Sequence, residues 1–268
     1  MKFCLGTAQF GFPYGLDKSY YVNTDKKFEE IIEWNQKIKF FHYLDTAFNY
    51  GNSEKIIGEN ISQIHKVKII SKFSYEKKIY SFEKTVENLH QSLENLKINS
   101  FYGILVHEKS MFSKKRLKTT IKILDYIKKN KIAKKIGISV YDKSELKNNL
   151  KHYKFDLIQL PLNIFNQSFN EDNYLKEISK NYEVFVRSIF LQGLLFNKFS
   201  NTHKYFKKYK LDLIKYSKFL DYYNISPLEA CIYYIFSLNL KLNIVFGAND
   251  LSNIIEIYKT INNIDRKK

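Results

Sequence analysis

The segment LDTAFNYGNSEKIIGEN, residues 44–60, has the pattern of a buried strand that runs into a loop and then into a helix. An acidic residue, Asp45, ends the apolar run, and Tyr50 follows five positions later beside a glycine. Strand-to-helix junctions of this kind are the unit from which parallel α/β folds are built. The junction therefore predicts an α/β architecture and directs attention to Asp45 and Tyr50.

The same pattern recurs along the whole chain. Eight short apolar runs are predicted as strands, with longer segments of helical period between them. The predicted strands are KFCLGTA (2–8), FFHYLDTA (40–47), VKIISKF (67–73), FYGILVHE (101–108), AKKIGISVY (133–141), FDLIQLPLN (155–163), EVFVRSIFL (183–191) and KLNIVFGA (241–248). Their nearly continuous apolar character is typical of parallel strands buried on both faces. We therefore expect an α/β fold, a (β/α)₈ TIM barrel forming a single domain over residues 1–268. A doubly wound open sheet is the competing architecture.

Helical segments are predicted between the strands. They are residues 28–38, 81–96, 119–130, 144–153, 227–239 and 251–259. The segment from Leu195 to Tyr223 is longer than a simple connection, and we expect it to hold an additional helix or a flap.

The composition narrows the possible function classes. The formal net charge is +17, but only three of the 44 basic residues are arginines, so the excess reflects lysine spread over the chain. We expect a general attraction for anionic ligands and no dedicated nucleic-acid site, because such sites favour arginine. Cys4 and Cys231 have no metal-ligand spacing and are predicted to be buried free thiols. The sequence predicts neither a membrane span nor a signal peptide, hence a cytoplasmic protein, and no metal site.

The ends of the predicted strands carry polar residues that could act together. Asp45 ends the second strand, Lys72 the third and His107 the fourth, with Tyr50 in the loop after the second. In a (β/α)₈ barrel these positions meet at one mouth. A free phenol has a pKa near 10, and a neighbouring ammonium held by a carboxylate favours its ionised form. An imidazole can orient a carbonyl oxygen. This set suits carbonyl reduction with Tyr50 as general acid, and it requires a nicotinamide cofactor because side chains supply no hydride.

Two alternatives stay open at this point. Lys72 could act as a Schiff-base nucleophile in aldolase-type chemistry. The chain could also be a nicotinamide-binding regulatory protein with very slow turnover.

The motif DTAFNYGNSEKIIG (45–58) resembles the signature of the aldo/keto reductase superfamily, in its bacterial branch. The opening LGTAQFGFPYG (5–15) resembles the first strand and loop of that family, and the similarity continues in order through ISKF, LVHE, GISVY, LIQLPLN, VRSIFLQGLL and IVFGANDLSNIIE. The resemblance implies a (β/α)₈ barrel that reduces aldehydes and ketones with NADPH, less often NADH. It implies that Tyr50 is the general acid, that Lys72 and Asp45 tune it, and that His107 orients the carbonyl.

The resemblance also implies a set of cofactor-binding residues. At the first strand they are Gly6 and Thr7. Near the nicotinamide they are Ser139, Gln159 and Asn163, and after the seventh strand they are Arg187, Ser188, Gln192, Gly193 and Leu194. Near the adenosine end they are Gly247, Ala248, Asn249, Asn253 and Glu256.

Some positions depart from the family pattern. Val140 follows Ser139 where an asparagine is frequent, and Arg187 stands where many members stack a tyrosine on the nicotinamide. Arg187 could stack on the cofactor, hold a substrate carboxylate or phosphate, or form a structural ion pair. GANDLSN (247–253) contains no cation, so the choice between NADPH and NADH stays open. The implied substrate is a small carbonyl compound, with a sugar-derived carbonyl as the specific expectation. We expect an open pocket because the C-terminus is short. The sequence does not indicate which oligomeric state the protein adopts.

Overall fold

The computed structural model describes residues 1–15, 21, 23–64, 66–75, 81–196 and 209–265. Eight parallel strands follow one another around a closed barrel in the order of the sequence. They are β1 (Lys2–Gly6), β2 (Phe41–Asp45), β3 (Lys68–Phe73), β4 (Phe101–Val106), β5 (Ala133–Ser139), β6 (Leu157–Pro161), β7 (Glu183–Arg187) and β8 (Asn243–Gly247). The pairing of β1 with β8 closes the ring. The predicted (β/α)₈ barrel is therefore confirmed, and the open-sheet alternative is wrong.

Helices surround the barrel. They are α1 (Ala8–Gly11), α2 (Thr24–Ile38), α3 (Ser53–Glu59), α4 (Phe82–Leu96), α5 (Leu117–Lys129), α6 (Lys143–Asn149), α7 (Tyr174–Asn181), α8 (Lys210–Tyr223), α9 (Pro227–Ser237) and α10 (Leu251–Asp265). Short 3₁₀ segments are Ile61–Gln63, Lys109–Phe112, Ser168–Asn173 and Leu191–Phe196. All six predicted helical segments are helices, with bounds that differ by a few residues. The additional helix expected in the 195–223 segment is α8, and residues 197–208 of that segment lie outside the described part of the chain.

Local sequence explains where several helices begin. The Ser81 hydroxyl accepts a hydrogen bond from the backbone N–H of Lys84 and caps α4. At α9 the Ser226 hydroxyl accepts from the N–H of Glu229, while the Glu229 side chain accepts from the N–H of Ser226. This capping box, with Pro227 at the first helical position, satisfies backbone donors that the helix itself leaves unpaired.

The barrel interior is apolar, and its amino-terminal end is polar. Side chains from seven strands fill the interior: Cys4, Tyr43, Ile70, Leu105, Leu157, Phe185 and Val245. At the amino-terminal end, the Glu183 carboxylate accepts hydrogen bonds from Tyr43, Tyr102 and Lys135 at 2.6–2.8 Å. The paired polar groups and the packed interior leave the carboxyl ends of the strands as the end where a site can form.

Other features of the fold bear on the predictions. Cys4 and Cys231 are both free and buried, as predicted. None of the helices in the described ranges has the length and apolarity needed to cross a bilayer.

A groove of about 860 Å³ lies between α8, α9 and the loop after β6, and its lining contains none of the four candidate catalytic residues.

Candidate active site

Three neighbouring strands bring the candidate catalytic residues to the same mouth. Asp45 is the last residue of β2, Lys72 lies near the end of β3, and His107 directly follows β4. The Lys72 ammonium donates to Asp45 Oδ2 at 2.6 Å and lies 3.4 Å from the Tyr50 hydroxyl. It also donates to the backbone oxygen of Thr46 at 2.9 Å. One buried ammonium therefore contacts both the carboxylate and the phenol.

The ion pair between Lys72 and Asp45 is almost inaccessible to solvent. The exposed fractions of the two side chains are 1% and 7%. Burial opposes the charged form of Lys72, but the Asp45 carboxylate and the Tyr50 hydroxyl outweigh it, so the pKa of the ammonium lies above its ordinary value. A charged amine is not nucleophilic, so this pairing opposes Schiff-base chemistry at Lys72.

His107 faces Tyr50 across the mouth, with 6.1 Å between their ring centroids. Burial, together with the positive charges of Lys72 and Arg187, lowers the pKa of His107 to about 3. The ring is therefore neutral at physiological pH and has one N–H to donate. Among the described residues, none hydrogen-bonds the ring nitrogens of His107, so the ring is available to a ligand.

The lowered pKa of His107 predicts a pH-dependent stability. In the unfolded chain the imidazole titrates near pH 6.5, while the folded protein keeps it neutral down to about pH 3. Because the unfolded state then binds the extra proton, stability falls as pH drops below about 6.5. From pH 8 to pH 5 we expect this residue to remove about 2 kcal/mol of unfolding free energy. Urea unfolding at the two pH values measures the loss in the wild type and in His107→Gln. Equal losses in both proteins would contradict the expectation.

Two residues implied as nicotinamide contacts form a buried chain that ends on Asp45. The Ser139 hydroxyl donates to Gln159 Oε1 at 3.2 Å, and Gln159 Nε2 donates to Asp45 Oδ1 at 2.8 Å. Gln159 is 0% exposed and Ser139 is 3% exposed. The observed contacts therefore orient the Asp45 carboxylate, with Lys72 on one oxygen and Gln159 on the other.

Asn163 and Thr7 are likewise engaged within the protein. Asn163 Nδ2 donates to the backbone oxygen of Ser188, and its Oδ1 accepts from two backbone N–H groups of its own loop. The Thr7 hydroxyl donates to the backbone oxygen of Asp45 at 3.1 Å and lies 2.7 Å from the Ser53 hydroxyl. The neighbouring Gly6 pairs with Asp45 and with the end of β8 in the barrel. These contacts tie the end of β1 to the Asp45 corner.

Arg187 lies at the end of β7 and reaches across to the loop after β5. Its Nη2 donates to the backbone oxygen of Val140 at 3.1 Å, and its guanidinium stacks 4.6 Å from the ring centroid of Tyr141. None of the ion pairs found among the described residues involves Arg187. The guanidinium is thus a half-buried charge at the mouth, in contact with an aromatic ring.

The backbone after β7 leaves open space beside a glycine. Gln192 and Gly193 have φ values of 58° and 89°, and no described atom lies within 4 Å of the place where a Cβ on Gly193 would stand. Gln192 is exposed, Ser188 is half-buried, and the next residue, Leu194, is buried. The backbone at Gly193 is therefore accessible from outside the loop.

At the end of β8, side chains cap the start of α10. Asp250 Oδ1 accepts from the backbone N–H of Asn253 at 3.1 Å, and Asn253 Oδ1 accepts from the N–H of Asn249 at 3.1 Å. Of the other residues predicted there, Gly247 ends β8, Ala248 is buried and Glu256 is exposed on α10. The Asp250 carboxylate thus occupies the helix end that could otherwise have received a phosphate.

Besides the chain from Ser139 to Asp45, sequence reasoning missed one partner each of Lys72 and Arg187. The backbone oxygen of Thr46 is the third partner of Lys72, and the ring of Tyr141 supports Arg187. Every residue type has a backbone carbonyl oxygen, so no sequence pattern could have identified Thr46 as a partner of Lys72. Tyr141 directly follows a predicted strand end, and that position was an available signal.

Comparison with known proteins yields one family and one fold. The model of the aldo/keto reductase family matches residues 2–266. No curated protein matches the sequence. Among solved structures, an aldo-keto reductase from Bacillus halodurans in its holo form has a TM-score of 0.74 at 17% identity, covering 97% of this chain and 86% of that one.

Two further structures give the same result. A glycerol dehydrogenase from Gluconobacter oxydans has a TM-score of 0.70 at 16% identity, with 98% of this chain and 90% of that chain covered. A Bombyx mori aldo-keto reductase in complex with NADP has a TM-score of 0.66 at 14% identity, with coverage of 98% and 87%. At such low identity, these likenesses show a shared barrel fold.

Proposed function

The chain belongs to the aldo/keto reductase family, and from this premise we propose that it reduces an aldehyde or ketone to an alcohol at the mouth formed by Asp45, Tyr50, Lys72 and His107. The observation that carries the proposal is the position of the Lys72 ammonium, 2.6 Å from the Asp45 carboxylate and 3.4 Å from the Tyr50 hydroxyl. A phenol beside a charged ammonium can donate its proton to a carbonyl oxygen, because the ammonium stabilises the charge left behind.

Each side chain has a distinct part in the proposed reaction. Tyr50 donates its proton to the carbonyl oxygen, and the Lys72 ammonium stabilises the negative charge that the phenol then acquires. Asp45 keeps Lys72 charged and in place, while Gln159 holds the other oxygen of Asp45. The neutral imidazole of His107 donates its N–H to the same carbonyl oxygen and orients it.

The proposed cofactor is a reduced nicotinamide dinucleotide, which supplies the hydride when bound. The open backbone at Gly193 would receive its anionic part. NADPH is the cofactor expected from the family, with NADH possible. The segment 247–253 contains no lysine or arginine, and Asp250 places a carboxylate at the start of α10. This arrangement disfavours an additional phosphate there and supports use of NADH.

A direct test combines cofactor binding with turnover. NADPH and NADH are titrated separately while intrinsic fluorescence is followed, and consumption of each cofactor is then measured with a panel of aldehydes and ketones. The proposal expects saturable binding and carbonyl-dependent consumption. Binding without consumption across the panel would instead favour the regulatory alternative, and absence of binding would reject both.

Arg187 is proposed to recognise the negative charge of an acidic substrate. Its guanidinium lies at the mouth without a carboxylate partner among the described ion pairs. Arg187→Ala is expected to raise KM for carboxylate-bearing carbonyl substrates about 10–100-fold, because a charged hydrogen-bonded pair contributes about 1.5–3 kcal/mol. KM for neutral aldehydes of similar size is the matched control and is expected to stay within a few-fold. Equal increases for both classes would assign Arg187 to the cofactor or to the fold.

The substrate is proposed to be a sugar-derived or otherwise hydroxylated carbonyl compound. One similar structure is that of a glycerol dehydrogenase, an enzyme whose name refers to a small polyol. In this chain, the half-buried Tyr50 and Arg187 offer hydrogen-bonding groups at the mouth beside aromatic surface. A carbonyl panel should therefore include hydroxyaldehydes and sugar acids.

A further inference from the structure

The loop that carries Tyr50 packs backbone to backbone against the end of α1. The Gly11 carbonyl oxygen accepts hydrogen bonds from the N–H of Asn52 at 3.3 Å and from the hydroxyl of Tyr21 at 2.9 Å. A Cβ on Gly11 would overlap the carbonyl oxygen of Tyr50, and a Cβ on Gly51 would overlap the carbonyl oxygen of Gly11. The two segments therefore approach more closely than any residue other than glycine would allow at either position.

This contact is a tertiary restraint on the loop. The first half of the loop is tied to β3, where the Phe48 N–H donates to the Lys72 carbonyl oxygen at 3.1 Å. After it the hydrogen bonds are local: the Tyr50 N–H donates to the oxygen of Ala47, and the Ser53 N–H donates to the oxygen of Tyr50, both at 3.0 Å. The loop is thus placed against the barrel as far as Phe48, and the Gly11 contact is a further tertiary restraint at the Tyr50–Gly51 peptide itself. Gly11 is buried and belongs to another segment, and the ring of the next residue, Phe12, lies 5.9 Å from the Tyr50 ring.

The Tyr50 hydroxyl can move only slightly before its contact with Lys72 is lost. It lies 3.4 Å from the Lys72 ammonium, near the outer limit of a hydrogen bond. Moving the phenol outward by about 0.5 Å would break this contact. Lys72 has little freedom to follow, because its ammonium is already held at 2.6 Å by Asp45 and at 2.9 Å by the backbone oxygen of Thr46.

We infer that the close backbone contact between Gly11 and the Tyr50–Gly51 peptide sets the position of the Tyr50 hydroxyl against Lys72, which makes Gly11 a positioning residue for the reaction. The inference rests on the proposed function, in which Tyr50 is the proton donor. Gly11 itself touches neither substrate nor cofactor in this account. It acts only through the peptide that carries Tyr50.

Gly11→Ala tests this inference directly. The added methyl group has to displace the Tyr50 carbonyl, so kcat for carbonyl reduction is expected to fall about 10–100-fold, as for other small misplacements of a reacting group. KM and cofactor affinity are expected to stay within a few-fold, because the substitution leaves Arg187 and the backbone at Gly193 unchanged. A kcat within two-fold of wild type in the folded variant would overturn the inference.

Gly58→Ala is the matched control. A Cβ on Gly58 would overlap the carbonyl oxygen of Asn95 where α3 meets α4, so the substitution creates a comparable clash with backbone, away from Tyr50. We expect it to lower the melting temperature while kcat per folded molecule stays near wild type. If Gly58→Ala lowers kcat as much as Gly11→Ala does, the effect is general destabilisation and the inference fails.

Two other variants approach the same contact differently. Gly51→Asn places a residue that tolerates positive φ at a φ of 54°, so its main perturbation is the clash with Gly11. It is expected to lower kcat about as much as Gly11→Ala. Tyr21→Phe removes only one hydroxyl and is expected to fold and to lower kcat by about two- to five-fold. If neither glycine variant folds, an unchanged kcat in Tyr21→Phe overturns the inference.

A spectroscopic readout separates this inference from the proposed function. With ¹³Cζ-labelled tyrosine, the Tyr50 resonance is the one that disappears in Tyr50→Phe. We expect its chemical shift to change in Gly11→Ala and to stay unchanged in Gly58→Ala, whether or not a substrate has been found. A wild-type protein without reductase activity would reject the proposed function. An unchanged Tyr50 resonance in Gly11→Ala would reject the positioning role.

Discussion

Tyr50→Phe is expected to lower kcat for carbonyl reduction by about 10²–10⁴-fold, the contribution of a well-placed general acid. The substitution removes one oxygen and leaves the ring, its contact with Phe12 and the Lys72–Asp45 pair in place. Because the phenol proton is needed only when the carbonyl oxygen becomes negative, affinity for the cofactor should stay within a few-fold. Steady-state kinetics and cofactor titration on the same preparation measure both quantities.

The matched control for Tyr50→Phe is Tyr222→Phe. Tyr222 is 82% exposed on α8, so the same chemical change is made where no reaction is proposed. We expect its kcat to equal that of the wild type. Turnover of Tyr50→Phe at a rate close to that of Tyr222→Phe would show that the proton comes from another group, and the proposed mechanism would then be wrong.

Lys72→Met is expected to abolish reduction and also to destabilise the fold by about 3–5 kcal/mol. The large energetic effect follows from burial, because removing the ammonium leaves the Asp45 carboxylate 7% exposed, with Gln159 as its remaining side-chain donor. An uncompensated buried charge costs far more than a lost surface pair. Urea unfolding at neutral pH gives the change in unfolding free energy.

A double variant separates the two consequences of losing Lys72. In Asp45→Asn combined with Lys72→Met the buried charge is absent, so we expect most of the stability to return while activity stays lost. Lys84→Met, at the exposed Lys84–Glu87 pair, is the matched control and should change stability by at most about 1 kcal/mol. If the double variant is no more stable than Lys72→Met, the destabilisation comes from lost packing and the charge argument is wrong.

Local sequence patterns were sufficient to predict the strands and most of the helices. Strands buried on both faces are continuously apolar, and Ser81 and Ser226 mark helix starts through their side-chain caps. The short helices α1 and α7 were not predicted, whereas α3 is the helix expected after Tyr50 from the motif at residues 44–60. Helices α1 and α7 have four and eight residues, which gives periodicity little length in which to appear.

The sequence was sufficient to predict which residues form the candidate site, but not how those residues contact one another. Strand ends placed Asp45, Lys72 and His107 at one mouth once a barrel was assumed, because parallel strands in order end at the same rim. The chain from Ser139 through Gln159 to Asp45 was not predicted. It joins residues 20 and 114 positions apart along the sequence, and such contacts depend on the register of β2, β5 and β6 in the closed barrel.

The sequence by itself determined the barrel, its family and the residue types at the mouth, since each of these is written in local patterns of polarity, strand length and motif. Only the tertiary structure decided the protonation of His107, the charge of Lys72 and the close contact between Gly11 and the peptide after Tyr50. These properties depend on burial and on distances of a few ångströms between segments remote in the chain. Electrostatic and steric energies change steeply over such distances, and no one-dimensional pattern encodes them.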